Sequence, residues 1–146
     1  MRDVTAPRID FHVHLFPDRM FDAIWSFFSS EYRWDVLHKL YHRECIRYLQ
    51  DHGVEAIVYS NYAHRKGIAQ GLNEWNLRVL NANPGVYCFA AFHPEDDDAL
   101  EAAERLLNHP RVLGFKLQLL VQRFSPDDPR LFPLYELVAD RGKRIL

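Results

Sequence analysis

The chain is poor in sulfur, with two cysteines and two methionines among 146 residues. Cys45 and Cys88 are widely separated, so they form no close pair of the kind that grips zinc. We expect two free thiols in a reducing compartment, hence a cytoplasmic protein, with neither a disulfide framework nor a cysteine metal site. Long hydrophobic runs are also missing. The longest, Val86 to Phe92, is far short of the ~20 residues that a spanning helix needs. Met1 to Arg8 has no apolar segment of the secretory type. Neither sign of charge dominates: 18 basic and 20 acidic side chains leave a net charge of -2. No broad basic surface for nucleic acid is therefore implied. Low-complexity tracts and flexible linkers are absent as well, so residues 1–146 read as one domain. With 48% hydrophobic residues, the chain has enough apolar material to bury a core.

The most informative stretch is Ile9-Asp10-Phe11-His12-Val13-His14. Apolar and polar residues alternate, as they do along a strand whose side chains point to opposite faces with period two. Strict alternation puts Asp10, His12 and His14 on one face and Ile9, Phe11 and Val13 on the other. Such a polar face also fits the solvated side of an amphipathic strand. However, the chain continues as repeated strand-helix units, whose strands are buried on both faces. Three polar residues on a buried face need a reason, and two histidines two apart at a strand end can share one ion. Pro17 lacks an amide hydrogen and ends the strand. The pair then sits at the C-terminal rim, where α/β barrels keep their chemistry.

From Asp18, a helix cap candidate, Met20 to Phe28 is apolar nearly all round, so it is buried or carries an aromatic patch that something covers. Ser29-Ser30 ends that helix. Residues 31–43 mix aromatic and charged residues and read as an insertion over the rim, a candidate lid. Glu44 to His52 is helical, with Gly53 as a left-handed stop. Val54 to Tyr59 is the second strand. Ile68, Leu72, Trp75 and Val79 form one helical stripe of the core type. Val86 to Phe92 is the third strand, ending in His93-Pro94. Asp98 and Glu101 have capping-box spacing, and Leu100, Ala103 and Leu107 give the next helix its buried face. Val112 to Leu117 is the fourth strand, with Gly114, Lys116 and Gln118 on one face. A long loop to Pro129 follows, then a helix through Leu131, Leu134, Tyr135 and Val138 that stops at Gly142. Lys143 opens a fifth strand.

Strands starting near 8, 54, 86, 112 and 143 have the rhythm of βα units in a parallel sheet. A closed barrel of such units needs eight, typically ~250 residues. We therefore expect an α/β fold, the N-terminal half of a TIM barrel.

The segments I-D-F-H-V-H-L-F-P at 9 to 17, A-A-F-H-P-E at 90 to 95, G-F-K-L-Q at 114 to 118 and P-D-D-P-R-L-F-P-L-Y-E at 126 to 136 resemble the amidohydrolase superfamily. Within it, they are similar to the group that includes aminocarboxymuconate-semialdehyde decarboxylase-like enzymes. The resemblance implies that His12 and His14 are metal ligands. It also implies a further ligand histidine from the fifth strand or beyond and an aspartate from the last strand, neither of which can be placed up to Leu146. Members often carry histidine where Gln118 stands, which makes Gln118 a substrate or water contact. Some carry a carboxylated lysine near the position of Lys116; contact with a substrate carboxylate, or a structural role, is preferred for it here. His93 is a pocket candidate, with a plain turn as its alternative. Asp10 could orient a ligand histidine by hydrogen bonding or stabilise the interior. Arg65, Lys66 and Arg123 lie in rim loops and could hold an acidic substrate or be solvated charges.

The implied cofactor is a divalent metal, zinc first and manganese second. The implied reaction is hydrolysis of a small amide, ester or lactone by metal-activated water. Non-oxidative decarboxylation of a small carboxylic acid is the alternative. A catalytically incomplete fragment that only associates is the other. The expected partners are a small-molecule substrate and further copies of the chain, without nucleic acid or membrane.

Overall fold

The computed structural model describes residues 6–146; the Met1 to Thr5 portion of the leader expectation lies outside them. Five parallel strands pair in sequence order: β1 (Arg8–His14), β2 (Val54–Ser60), β3 (Val86–Ala91), β4 (Val112–Lys116) and β5 (Arg144–Ile145). Helices α1 (Asp18–Glu31) and α2 (His42–Asp51) join β1 to β2. Helix α3 (Ala69–Ala82) follows β2, and α4 (Ala99–Leu107) follows β3. The short α5 (Leu119–Gln122), a 3₁₀ turn (Pro129–Leu131) and α6 (Phe132–Asp140) lie between β4 and β5. An all-parallel sheet in which each strand pairs with the next, through helical crossovers, is the first half of a TIM barrel.

The sheet has a helix-facing side and an inner side, with alternation interrupted where the β1–β2 and β3–β4 pairings shift register. Ile57 and Tyr59 of β2, Val86, Cys88 and Ala90 of β3, and Val112 and Phe115 of β4 are packed with Val79, Leu80, Leu107, Leu134 and Val138 of the helices. That apolar layer is what holds the half barrel together. A second buried layer is polar. Asn76 of α3 accepts from the Tyr59 hydroxyl at 2.9 Å and from Asn61 Nδ2 at 2.6 Å. Its own amide donates to Asn61 and Asn73 oxygens, each at 3.1 Å. Asn73 in turn makes a two-way bond with the Ala91 backbone. No buried side-chain polar atom among the described residues is left without a partner, as a buried network must achieve to be stable.

The core stripe expected along α3 forms, with Leu72 and Val79 buried. Several local expectations are corrected. Asp18 is the first helical residue of α1 rather than its cap, and its carboxylate meets His42 Nδ1 at 2.8 Å. Asp98 precedes α4 without a side-chain cap bond, because Glu101 pairs with Arg105 instead, at 2.6 Å. Glu44 accepts from the Tyr41 amide at 3.0 Å, so the helix-start bond of this type is at α2. Leu100 faces solvent, and Leu106 joins Ala103 and Leu107 in the core. Helix α1 runs on to Glu31 and buries only Phe21; its aromatic face is covered locally, by stacking of Trp25 on Phe21 and of Trp34 on Phe28. Residues 32–41 hold no helix or strand, and Tyr32, Trp34 and Leu37 are exposed. The stretch after β4 is not one loop, since it holds α5 and the 3₁₀ turn. No helix among the described residues is long and apolar enough to cross a membrane.

Candidate metal centre at the strand rim

The inner side of the sheet carries one row of residues in register across all five strands: His14, Ser60, Phe89, Gly114 and Arg144. Strand β1 departs from regular pairing just before this row. Asp10 pairs with Ile57 and Val13 with Tyr59, so β1 spends one residue more than β2 over that interval. Such a bulge re-aims side chains, and its effect here is specific. Phe11 turns inward onto the Phe89 ring, with centroids 6.0 Å apart. Asp10 is near enough to Cys45 of α2 to add to the upward shift of that thiol, which burial dominates. Asp10 pairs with Ile57, which packs in the helix-facing layer, and so does not share the histidine face as strict alternation requires. Its carboxylate accepts from the His12 backbone amide at 3.1 Å, which supports the bulge rather than an imidazole.

His12 and His14 do come together. Their Nε2 atoms are 3.3 Å apart, and the rings meet edge to face with centroids at 5.1 Å. Two nitrogens about 2.1 Å from one zinc-sized ion at a tetrahedral angle would be separated by roughly 3.4 Å. The observed spacing thus suits two ligands of a single ion. Partial burial pushes the His14 pKa down; neighbouring His12 and Lys116 act the same way, against the hydrogen bonding to Ser60. A lowered pKa keeps the imidazole neutral, which is the form that binds metal. Ser60 Oγ lies 3.4 Å from His14 Nδ1 and so steadies the ring from its other nitrogen. That outer contact is the type that fixes a ligand's orientation, and sequence spacing gave no sign of it. Among the described residues no three His, Cys, Asp or Glu side chains converge on one point, so the pair can hold a metal only as part of a larger ligand set.

Helix α1 and the loops after β2 and β4 form a cleft of about 580 Å³, which begins at Phe16 and is lined by neither His12 nor His14. Phe16, Ile24, Phe28 and Tyr62 give it an apolar wall, and His64, Gln118 and Arg123 add polar atoms. Gln118 and Arg123 are thus placed on the cleft, as rim residues should be. Lys116 sits on the inner side near His14. His93 does not line this cleft but a separate, smaller pocket beside Asn73 and Phe115. It is buried, its Nδ1 accepts from the Glu95 amide at 3.3 Å, its ring packs on Phe124, and it is close enough to His64 to help lower that group's pKa. Lys66 is engaged by Asp97 at 2.8 Å, at the surface. Sequence reasoning missed Gln122, which is 8% exposed and tied into the rim by three backbone hydrogen bonds.

Solved structures of the same fold are numerous. A 5-carboxyvanillate decarboxylase from Sphingomonas paucimobilis superposes with TM-score 0.71 at 17% identity, covering 97% of this chain and 51% of that one. The Novosphingobium aromaticivorans 5-carboxyvanillate decarboxylase, complexed with manganese and 4-hydroxy-3-methoxy-5-nitrobenzoic acid, gives TM-score 0.71 at 13% identity, covering 99% and 51%. A Polaromonas dihydroxybenzoic acid decarboxylase with bound manganese and the inhibitor 2-nitroresorcinol gives 0.66 at 17% identity, covering 97% and 48%. The chain thus spans about half the length of these proteins, and at such identities the likeness establishes the fold. No curated protein matches the chain. The sequence itself supplies the assignment: residues 9–143 match the model of the amidohydrolase family, described as Amidohydrolase, and the chain belongs to that family.

Proposed function

We propose that this chain is the first half of a metal-dependent decarboxylase of small, ring-bearing carboxylic acids. The observation that carries the reading is the His12–His14 pair, with Nε2 atoms 3.3 Å apart at the rim of the half barrel. The decarboxylases of the same fold, two of them with manganese, favour this reaction over hydrolysis of an amide, ester or lactone. They also favour manganese over zinc as the divalent ion.

His12 and His14 would supply two neutral nitrogen ligands, and the remaining ligands would come from further strands of the barrel. The ion, when bound, would neutralise charge on an acidic substrate and fix its orientation. The chain's own residues would do the rest of the positioning. Lys116 places a cation beside His14, where a substrate carboxylate or phenolate oxygen would gain from it. The apolar wall of Phe16, Phe28 and Tyr62 would take the substrate's ring and exclude water from it. Arg123, which lines the cleft, presents a second anion donor. Gln118 would offer a neutral amide to a polar substituent.

The test uses the longer protein that contains this half barrel. We expect carbon dioxide release from a hydroxybenzoic acid with manganese present. The rate should fall by more than ~10³-fold on His12→Ala or His14→Ala. Hydrolysis of a lactone or amide without decarboxylation would favour the second reaction. Full activity in both alanine variants would reject metal catalysis at this pair.

A further inference from the structure

Helix α5 is one turn long and inverts the usual pattern of burial. Leu120 is 86% exposed and Val121 is exposed, whereas the amide Gln122 is buried at 8%. An ordinary turn would bury its aliphatic residues and expose its amide. The reason is visible at the Gln122 side chain. Its Nε2 donates to the Ala63 carbonyl at 2.9 Å and to the Phe92 carbonyl at 2.8 Å. Its Oε1 accepts from the Gln118 amide at 2.8 Å. These three backbone groups lie in the segments that follow β2, β3 and β4. Both donor hydrogens and one acceptor site are used, so one carboxamide joins three successive rim segments. Arg123 follows in the left-handed conformation, φ 60°, and ends the turn, which holds Gln122 at its inward position.

We propose that Gln122 is the positioning residue of the rim, fixing the segments around Ala63, Phe92 and Gln118 as one unit. Tyr62 and His64, which flank Ala63, and Gln118 itself all line the cleft. The tie therefore sets the shape of the cleft's polar side. Its service to a bound ligand rests on the site proposed above, but the tie itself does not.

The test needs neither metal nor substrate, so its failure is separate from failure of the proposed reaction. Amide exchange and carbonyl ¹³C shifts are measured on the wild-type chain, Gln122→Met and Gln122→Glu. Met has similar length and no hydrogen bonds. Glutamate keeps an acceptor for the Gln118 amide but, when ionised, has no donor for the two carbonyls. In Gln122→Met we expect Gln118 exchange to accelerate by ~10-fold or more. The Ala63 and Phe92 carbonyl resonances should move as well, while exchange in β3 and α3 changes far less. In Gln122→Glu at neutral pH, Gln118 protection should return while the two carbonyls stay shifted. Should Gln122→Met fail to fold, this split in Gln122→Glu decides alone. Unchanged Gln118 exchange and carbonyl shifts in both variants would overturn the proposal. So would a uniform acceleration of all amides, or a Gln122→Glu chain in which all three sites behave alike.

Discussion

Gly114 is the position where a single methyl group should do most damage to the half barrel. Its φ of +151° lies where side chains are rarely accommodated, and a Cβ built there would meet the Arg144 carbonyl oxygen at 1.6 Å. That atom is backbone of β5 and cannot swing aside, so relief needs a shift of about 2 Å to reach ordinary contact. Strand β5 has two residues and is the element most easily displaced. Displacement breaks the bonds from Leu146 N to the Phe115 carbonyl and from Leu117 N to the Leu146 carbonyl, each 3.0 Å. Each such bond contributes about 1 kcal/mol, and the backbone conformation adds about 1–3 kcal/mol of strain for a residue with a side chain. Gly114→Ala should thus cost about 3–5 kcal/mol in urea unfolding, or release β5 from β4. Amide exchange distinguishes the two, because release exposes Leu117 and Leu146 while β1 to β3 keep their protection. Gly71, in α3 with nothing within 4 Å of its Cβ position, is the control: Gly71→Ala should stabilise by about 0.5–1 kcal/mol. A Gly114→Ala chain that unfolds within ~0.5 kcal/mol of wild type, with Leu117 still protected, would refute the reasoning.

Other outcomes follow from the buried polar layer and from shifted groups. Asn76→Ala leaves the Asn61 amide and the Tyr59 hydroxyl short of a partner, and should destabilise by about 2–4 kcal/mol in urea. Burial pushes the Cys88 thiol up to about 12; only about one molecule in 10⁴ is then thiolate at pH 8, and Ellman's reagent should reach it only through unfolding. Bonds from Arg130 hold the Asp128 carboxyl down at about 2. Since that pKa is depressed, the stabilisation it brings is complete above the unfolded value near 4 and is lost as pH falls through about 2. A ¹³C titration should show this midpoint in the folded chain, rising toward 4 in Arg130→Ala.

The strand rhythm was readable because it rests on apolar runs punctuated by Gly53, Pro84-Gly85 and Gly142, all local signals. The strand starts therefore fall within a residue of the observed Arg8, Val54, Val86, Val112 and Arg144. The approach of the His12 and His14 rings was readable for the same reason, since their spacing is short. What alternation misplaced was Asp10, because the bulge in β1 depends on pairing with β2, and pairing is not a local property. Ser60, Asn61 and Gln122 were illegible on similar grounds, as their partners lie 46, 15 and 30 to 59 residues away. Asn73 and Asn76 gave a weak signal, two amides at helical spacing beside the Leu72 and Val79 stripe. The capping readings failed differently: Asp98 does stand at the start of α4 but makes no cap bond, because Glu101 pairs with Arg105, whereas Asp18 lies one residue past the cap position, inside α1, and bonds His42.

The central claim is that His12 and His14 grip one ion from the rim of the first strand. Manganese titrated at substoichiometric levels into the longer protein that contains this half barrel, with the histidine ring signals followed by NMR, tests it most directly. We expect His12 and His14 to broaden first, with the neighbouring Ser60 amide, and the Ser60 broadening to disappear in His12→Ala plus His14→Ala. Equal broadening of all the histidines, or earlier broadening of His52 or His109, would contradict it.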